Sequence, residues 1–366
     1  MRAEAIIDLS AIKHNVALLK EKSGTELLAV VKADAYGHGL IPVAQAAISA
    51  GADMVGVALL EEAIALREAG ITAPILAWLV QPGSDFKGAI DLDIDIAAGS
   101  LKALHEIQAA STEKKARVHL ELDTGMTRGG FLSEWSQLTA DDLSGIDVVG
   151  VFSHFARADE PEEVQNQDQL NRFNEMVKVL ENLGHTKIIR HISNSAATLK
   201  NSAAALDMVR TGIAIYGLTP DVAMGSAKEF GLRPAMQLRS ALYLVKDVPA
   251  GTPVGYGASE STTRDTKLGV VTMGYADGIP RIARGAGVWI NGERAPIIGR
   301  VSMDQFVVDL GPGSKAQSGD WVVIFGNGSH GEYTADDWGA ASGSINYEIV
   351  TRIGPRVPRI YSAHVY

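Results

Sequence analysis

The sequence predicts an N-terminal (β/α)8 barrel, an α/β fold, followed by a C-terminal mainly-β domain. Three observations carry this. Over the first two-thirds of the 366 residues, short apolar runs of β type alternate with amphipathic helical stretches. About eight such βα units within roughly 200 to 250 residues is the arithmetic of a closed parallel barrel. Around Gly231-Leu232-Arg233-Pro234 the texture changes to Gly-, Val- and Thr-rich runs at short spacing, without helices between them. The expected division is 1–232 for the barrel and 233–366 for the β-rich domain, with the first strand a candidate to pack with the latter. A doubly wound open sheet is the competing architecture, but no G-x-G-x-x-G opens the first helix.

The elements follow in order. Ser10 is placed to cap a helix whose apolar face includes Ile12, Val16 and Leu19. Residues 27–31 (LLAVV) read as a buried strand, followed by a Gly-rich turn and another helix. Further strands begin near Met54, Pro74, Asp93, Ala116, Ile146, Lys187 and Leu206, separated by helix-patterned segments such as 101–107 and 169–183. In the C-terminal part, 268–272 and 322–324 read as strands.

Composition narrows the function. Apolar residues make up 46% and charged residues 21%, the balance of a globular protein. With 33 Lys plus Arg against 43 Asp plus Glu, the net charge is −10, a poor match to nucleic acid or to an anionic membrane surface. The cysteine count of zero excludes a disulfide framework, a thiolate metal site and a cysteine nucleophile. Acids among the first eight residues interrupt any signal-peptide core, and no window approaches the roughly 18 apolar residues of a membrane helix. A cytoplasmic enzyme or binding protein is expected.

Several residues sit where barrel chemistry sits, at the C-terminal ends of strands. Lys32 ends the first barrel strand; it is either a strand-end lysine reaching water or an amine of lowered pKa able to form a Schiff base. After the seventh strand, HISNSA (191–196) offers hydroxyl and backbone donors, and after the eighth, VRTGI (209–213) has Gly212 for close backbone approach. Ordinary helix caps account for Asn194 and Ser195 taken singly; the two loops together suit a phosphate cradle. Arg128 lies in the loop after the fifth strand and His154 at the end of the sixth. In the β-rich part, Tyr256 stands between two glycines and could be presented on a loop or be structural. A lysine, a phosphate cradle and no metal-type cluster point to a lysine-bound phosphate cofactor such as pyridoxal 5'-phosphate.

The segments AVVKADAYGHG, VGYGASE, GYADGIPR, GRVSMDQ and INYEI, in that order, resemble the motifs of the pyridoxal-phosphate-dependent alanine racemases of bacteria, and the resemblance spans essentially the full length. It implies interconversion of L- and D-alanine, with D-alanine supplied to peptidoglycan, in a homodimer whose active sites are shared between subunits. Lys32 would hold the cofactor and act as one acid–base group; Tyr256, from the neighbouring subunit, would be the other. His154 would hydrogen-bond Tyr256, and Arg210 would contact the pyridine nitrogen. Tyr36, Ser195, Gly212, Ile213 and Tyr347 would hold the phosphate. Arg128 would bind the cofactor's phenolic oxygen and the substrate carboxylate, with Met303 and Asp304 supplied by the partner chain. Asp159, Arg300, Tyr275 and Ile345 match positions lining the substrate passage.

Racemisation removes the α-proton on one face and returns one on the other, which two opposed bases do directly. A free tyrosine titrates near pH 10, so a tyrosine base needs nearby positive charge. The sequence departs from the family pattern at Glu121, where many relatives carry a carbamylated lysine that orients the loop arginine. Ser302 stands where a cysteine is frequent. A serine or broad-specificity racemase is the near alternative. A decarboxylase of basic amino acids would need a C-terminal cysteine that the chain lacks. A non-catalytic, cofactor-carrying barrel would lack the domain bearing Tyr256.

Overall fold

The computed structural model describes residues 1–362 and divides the chain into two compact units. One comprises Ile12–Ala35 and Leu40–Leu232; the other comprises Met1–Ala11, Tyr36–Gly39 and the chain from Arg233 onward. Residues 1–11 and 36–39 therefore leave the continuous 1–232 barrel expected from the sequence, for a physical reason visible in the sheet. Strand β1 (Ala3–Asp8) is an antiparallel neighbour of a long strand in the second unit, with Ala3 opposite Ser240 and Ile7 opposite Met236. It also pairs in parallel with Arg359–Ser362. Ala3, Ala5 and Ile7 are buried there, and Glu4 pairs with Arg239. Gly37 joins the same unit: the Arg359 Nε donates to its carbonyl at 2.9 Å.

The barrel unit begins with helix Leu9–Ser23, whose Ile12, Val16 and Leu19 are fully buried. Its cap is Asp8 rather than the expected Ser10. The Asp8 carboxylate accepts the N–H groups of Ser10 and Ala11 and the Ser10 hydroxyl, so the residue one position earlier satisfies the orphan donors. Eight parallel strands follow: β2 (Glu26–Val30), β3 (Met54–Val57), β4 (Ile75–Ala77), β5 (Ile94–Ala98), β6 (Arg117–Glu121), β7 (Asp147–Phe152), β8 (Ile189–His191) and β9 (Met208–Thr211). Each is hydrogen-bonded to its neighbour in sequence, and β9 returns to β2. Between β8 and β9 the ring is closed by the N–H of Asp207 donating to the Arg190 carbonyl and that of Arg210 to the Ser193 carbonyl. Strands covered on both faces read as near-continuous apolar runs, and β3, β4 and β5 are buried at every residue.

The second unit is organised on β10 (Met236–Val248), which pairs with β1, Trp321–Phe325 and Thr266–Val271, all antiparallel. Two register shifts, at Leu238/Arg239 and Leu242/Leu244, let one long strand serve several partners. Short helices at Ala335–Ala341 and Asn346–Thr351 complete it.

Candidate functional site

One residue separates Lys32 from the end of β2: Val31, whose N–H donates to the Gly56 carbonyl at 2.8 Å. The Gly-rich turn expected after Lys32 opens with four residues that are not glycine yet have positive φ. Ala33, Asp34, Ala35 and Tyr36 all have φ of 52° or 53°, one turn of left-handed helix. Such backbone costs L-residues about 1–2 kcal/mol each, and here it is held by specific bonds. The Ala33 N–H donates to the Glu62 carboxylate at 2.5 Å, that of Ala35 to the Val31 carbonyl at 2.9 Å, and that of Leu40 to the Asp34 carboxylate at 2.8 Å. The Lys32 Nζ stands 5.8 Å from the centroid of the Trp78 ring. Burial lowers the Lys32 pKa, the Arg128 charge lowers it further, and Glu62 acts the other way.

Arg210, on β9, is buried and held from several sides. Its Nη1 donates to the His191 carbonyl and its Nη2 to the Ser153 carbonyl, both at 2.7 Å. The guanidinium lies 5.4 Å from the Phe152 ring centroid, and Nη2 is 3.2 Å from Nδ1 of His154. Burial pushes the Arg210 pKa down to about 10, with Glu121 raising and Arg128 lowering it, which leaves it charged at neutral pH. A guanidinium only donates, so His154 accepts at Nδ1 and carries its proton on Nε2. Burial, helped by Arg210, Arg128 and Lys32, pushes the His154 pKa down to about 3. The backbone of His154 is fixed by Gln169, whose amide donates to its carbonyl at 2.9 Å.

Arg128 is exposed, on a loop shaped by Asp123, whose carboxylate accepts the N–H groups of Gly125, Met126 and Thr127 at 3.0–3.1 Å. Gly130 (φ +102°) packs so closely that a Cβ would stand 2.7 Å from the Asp123 nitrogen. The Glu121 carboxylate lies against Gly99 and Gly129, 3.3 Å from where a Cβ on either would stand. Burial raises its pKa, against the opposing pull of Arg210 and Arg128. Ser195 is buried, and its hydroxyl accepts the N–H of Gly212 at 2.9 Å and that of Ala214 at 3.4 Å, tying together the loops after β8 and β9. Asn194 is the helix cap, accepting from the Ala197 N–H. Ile213 is buried, and the Tyr216 hydroxyl donates to the Val30 carbonyl at 2.8 Å, two residues before Lys32.

Lys32, Arg128, His154, Ser195, Arg210, Gly212 and Ile213 thus belong to the barrel unit. Tyr36, Tyr256, Met303, Asp304 and Tyr347 belong to the other. There, Tyr36 and Tyr347 have ring centroids 6.2 Å apart, and burial pushes the Tyr36 pKa up to about 12. Tyr256 is 70% exposed between Gly255 and Gly257, both with positive φ. It opens on a cavity of about 750 Å³ that Arg300, Met303 and Asp304 also line; Asp304 accepts from Arg356 at 2.7 Å.

Sequence reasoning missed Trp78, Gln169, Asp95, and His119, and gave His191 no role beyond its loop. For Asp95 and His119 the available signal was a charged or imidazole side chain inside an apolar barrel strand, where an unpaired polar group is costly. Among the described residues no group of His, Cys, Asp and Glu could hold a metal ion, and no helix is long and apolar enough to cross a membrane.

Family profiles described as Alanine racemase, N-terminal domain, and Alanine racemase, C-terminal domain, match residues 7–220 and 235–361. Alanine racemase of Beutenbergia cavernae is 50% identical over 98% of this chain and 97% of its own. That of Frankia casuarinae is 49% identical over 99% and 96%. Among solved structures, alanine racemase from D-cycloserine producing Streptomyces lavendulae superposes with a TM-score of 0.97 at 45% identity, covering 100% of this chain and 98% of that one. The Bacillus anthracis alanine racemase with bound L-Ala-P gives 0.91 at 37% identity, over 99% and 95%.

Proposed function

The chain belongs to the alanine racemase family, amino-acid isomerases, and we propose that it interconverts L- and D-alanine with pyridoxal 5'-phosphate held at Lys32. The observation that carries this reading is the pairing, in one barrel unit, of a lysine of lowered pKa with a histidine whose tautomer a buried arginine fixes.

The residues fit the cofactor. Arg128 interacts electrostatically with Lys32, Arg210 and Glu121, and Glu121 also with Arg210, a surplus of positive charge suited to a phosphate and a carboxylate. The Ser195 hydroxyl with the Gly212 and Ile213 backbone would hold the phosphate. Arg210 would face the pyridine nitrogen, where a guanidinium donates a hydrogen bond without giving up its proton. When bound, the cofactor supplies an electron sink that acidifies the substrate's α-carbon.

The chain's own groups do the rest. Lys32 needs its neutral amine to bond the cofactor and to take or return a proton on one face, and its buried position favours that form. Tyr256 of the partner subunit would serve the other face. His154, bare at Nδ1 toward Arg210, turns an Nε2–H outward; donated to a phenolate oxygen, it would stabilise that tyrosine as a base. The glycine-flanked, exposed Tyr256 suits a head-to-tail homodimer. Arg128 would bind the substrate carboxylate, with Met303 and Asp304 of the partner subunit closing the pocket. D-alanine made in this way in the cytoplasm would enter peptidoglycan precursors.

The test is incubation of the protein with pyridoxal phosphate and L-alanine in heavy water. Loss of the α-proton with appearance of D-alanine is expected, and both should vanish in Lys32→Ala. Exchange without inversion would remove Tyr256 from the mechanism, and no exchange with cofactor bound would sink the reading.

A further inference from the structure

A buried polar chain runs through the barrel interior to the guanidinium of Arg210. At its outer end, Arg117 donates from Nε to Asp95 Oδ1 at 2.6 Å and from Nη2 to Oδ2 at 3.2 Å. Asp95 Oδ2 is 3.3 Å from Nε2 of His119, and His119 Nδ1 is 2.9 Å from Nε2 of His191. His191 Nδ1 is 3.3 Å from Nη1 of Arg210. Both imidazoles are fully buried and Asp95 is nearly so.

His119 lies on β6 and His191 on β8, with β7 between them. In register with His119, β7 carries Gly150. A Cβ at that position would stand 2.1 Å from His119 Nδ1. Gly150 does not have positive φ, so what this position uses is the missing side chain, an opening through which one imidazole reaches the other.

The two ends dictate the direction of every proton between them. Arg210 only donates, so His191 accepts at Nδ1 and is protonated at Nε2. That N–H faces His119 Nδ1, which must therefore be bare, leaving the His119 proton on Nε2 toward Asp95. Asp95 is a carboxylate paired with Arg117, and it only accepts. Donors thus point one way along the whole chain, and neither imidazole can take a second proton without setting donor against donor. We infer that Asp95 is a positioning residue for Arg210, acting through His119 and His191 across the opening at Gly150. This deepens the functional reading above and rests on it for its catalytic consequence, since Arg210 in turn fixes His154.

The experiment reads ring tautomers by long-range 1H–15N correlation in the full chain labelled at histidine, with and without pyridoxal phosphate, beside steady-state kinetics. His119 and His191 are expected to show a bare Nδ1 and a protonated Nε2 in both states. The opposite tautomer in either ring, or a doubly protonated ring, overturns the inference. In Asp95→Asn the His191 signal is expected to become a mixture. Its kcat should fall about ten- to a hundredfold, the range found when outer-shell partners of metal-bound histidines are removed, with KM for alanine little changed. A folded Asp95→Asn with native His191 signals and parental kcat overturns the proposal. Should that variant not fold, Gly150→Ala, which displaces the His119 ring, is expected to give the same His191 change, and its absence would count equally against the idea. A failure of the racemase reading appears instead as no α-proton exchange by the parent chain, whatever its tautomers.

Discussion

The Nη2 of Arg210 lies 3.2 Å from Nδ1 of His154, and the contact fixes both the charge and the tautomer of the imidazole. A protonated His154 would oppose a donor to a donor in a buried site, so the residue enters the folded state neutral.

That neutrality has a cost in acid. Burial pushes His154 down to about 3 and drives His191 well below the ordinary histidine value, with His119 and Arg210 adding to the effect. Below about pH 6.5 the unfolded chain binds protons at these positions that the folded chain refuses. Stability therefore falls as pH falls, by about 1.4 kcal/mol per unit for each such histidine. Glu121, raised by burial, works in the opposite direction above 4.5, and the lowered carboxylates Asp95 and Asp207 add their loss only below about 4. Urea denaturation of the cofactor-free chain between pH 7 and 5 should show this slope, and His154→Gln should remove about half of it. A flat profile in the parent would contradict the buried neutral pair.

The reactivity of Lys32 should respond to its neighbours with opposite signs. Arg128 depresses the amine and Glu62 raises it. Arg128→Met should move the midpoint of trinitrobenzenesulfonate labelling at Lys32 to higher pH, and Glu62→Gln should move it lower. Peptide mapping of the labelled lysine against pH checks both. Shifts of the same sign in the two variants would refute the electrostatic account.

The family resemblance sets Glu121 against a carbamylated lysine of many alanine racemases. Here a carboxylate lies against Gly99 and Gly129 with no modification needed. Glu121→Lys would put a third cation beside Arg128 and Arg210. Its KM for alanine should rise about tenfold in carbon-dioxide-free buffer, a loss of roughly 1.4 kcal/mol in substrate binding, and recover with added bicarbonate. The parent should ignore bicarbonate. Equal bicarbonate response in parent and variant would show that Glu121 does not stand in for the carbamate.

The proposed sharing of active sites between subunits predicts complementation. Lys32→Ala and Tyr256→Phe chains, each inactive, should regain partial activity when mixed and refolded, because a hybrid dimer has one site with both bases. Hybrids demonstrated by native mass spectrometry yet lacking activity would place both bases in one chain.

The eight barrel strands were legible because apolar runs at βα spacing leave few alternatives, and the strands at residues 94–98 and 208–211 begin within two residues of their expected starts. The loops that carry the candidate residues were placed for the same reason, since strand ends locate them. What the sequence hid was pairing over long separation. The first strand was a candidate to pack with the C-terminal domain, but nothing local marks β10 as its partner, because an alternating AEAIID suits any half-buried strand. Asp8 and Ser10 are both good cap residues, and only the backbone decides between them. Asp95 and His119, 24 residues apart, look like two isolated polar residues until the barrel brings their side chains to 3.3 Å. The left-handed turn was invisible because Ala-Asp-Ala-Tyr has no glycine to announce positive φ.

That turn, Ala33 to Tyr36, sets robustness against performance within a single stretch of chain. Its four residues are each held in the less favoured hand, so a variant that let the segment wind the ordinary way would gain thermal stability while swinging Lys32 out of register with Trp78. Selection for heat tolerance alone would thus tend to erase the reactive lysine's placement. Libraries screened for melting temperature should return inactive winners at these positions, and screens that demand turnover should leave them untouched.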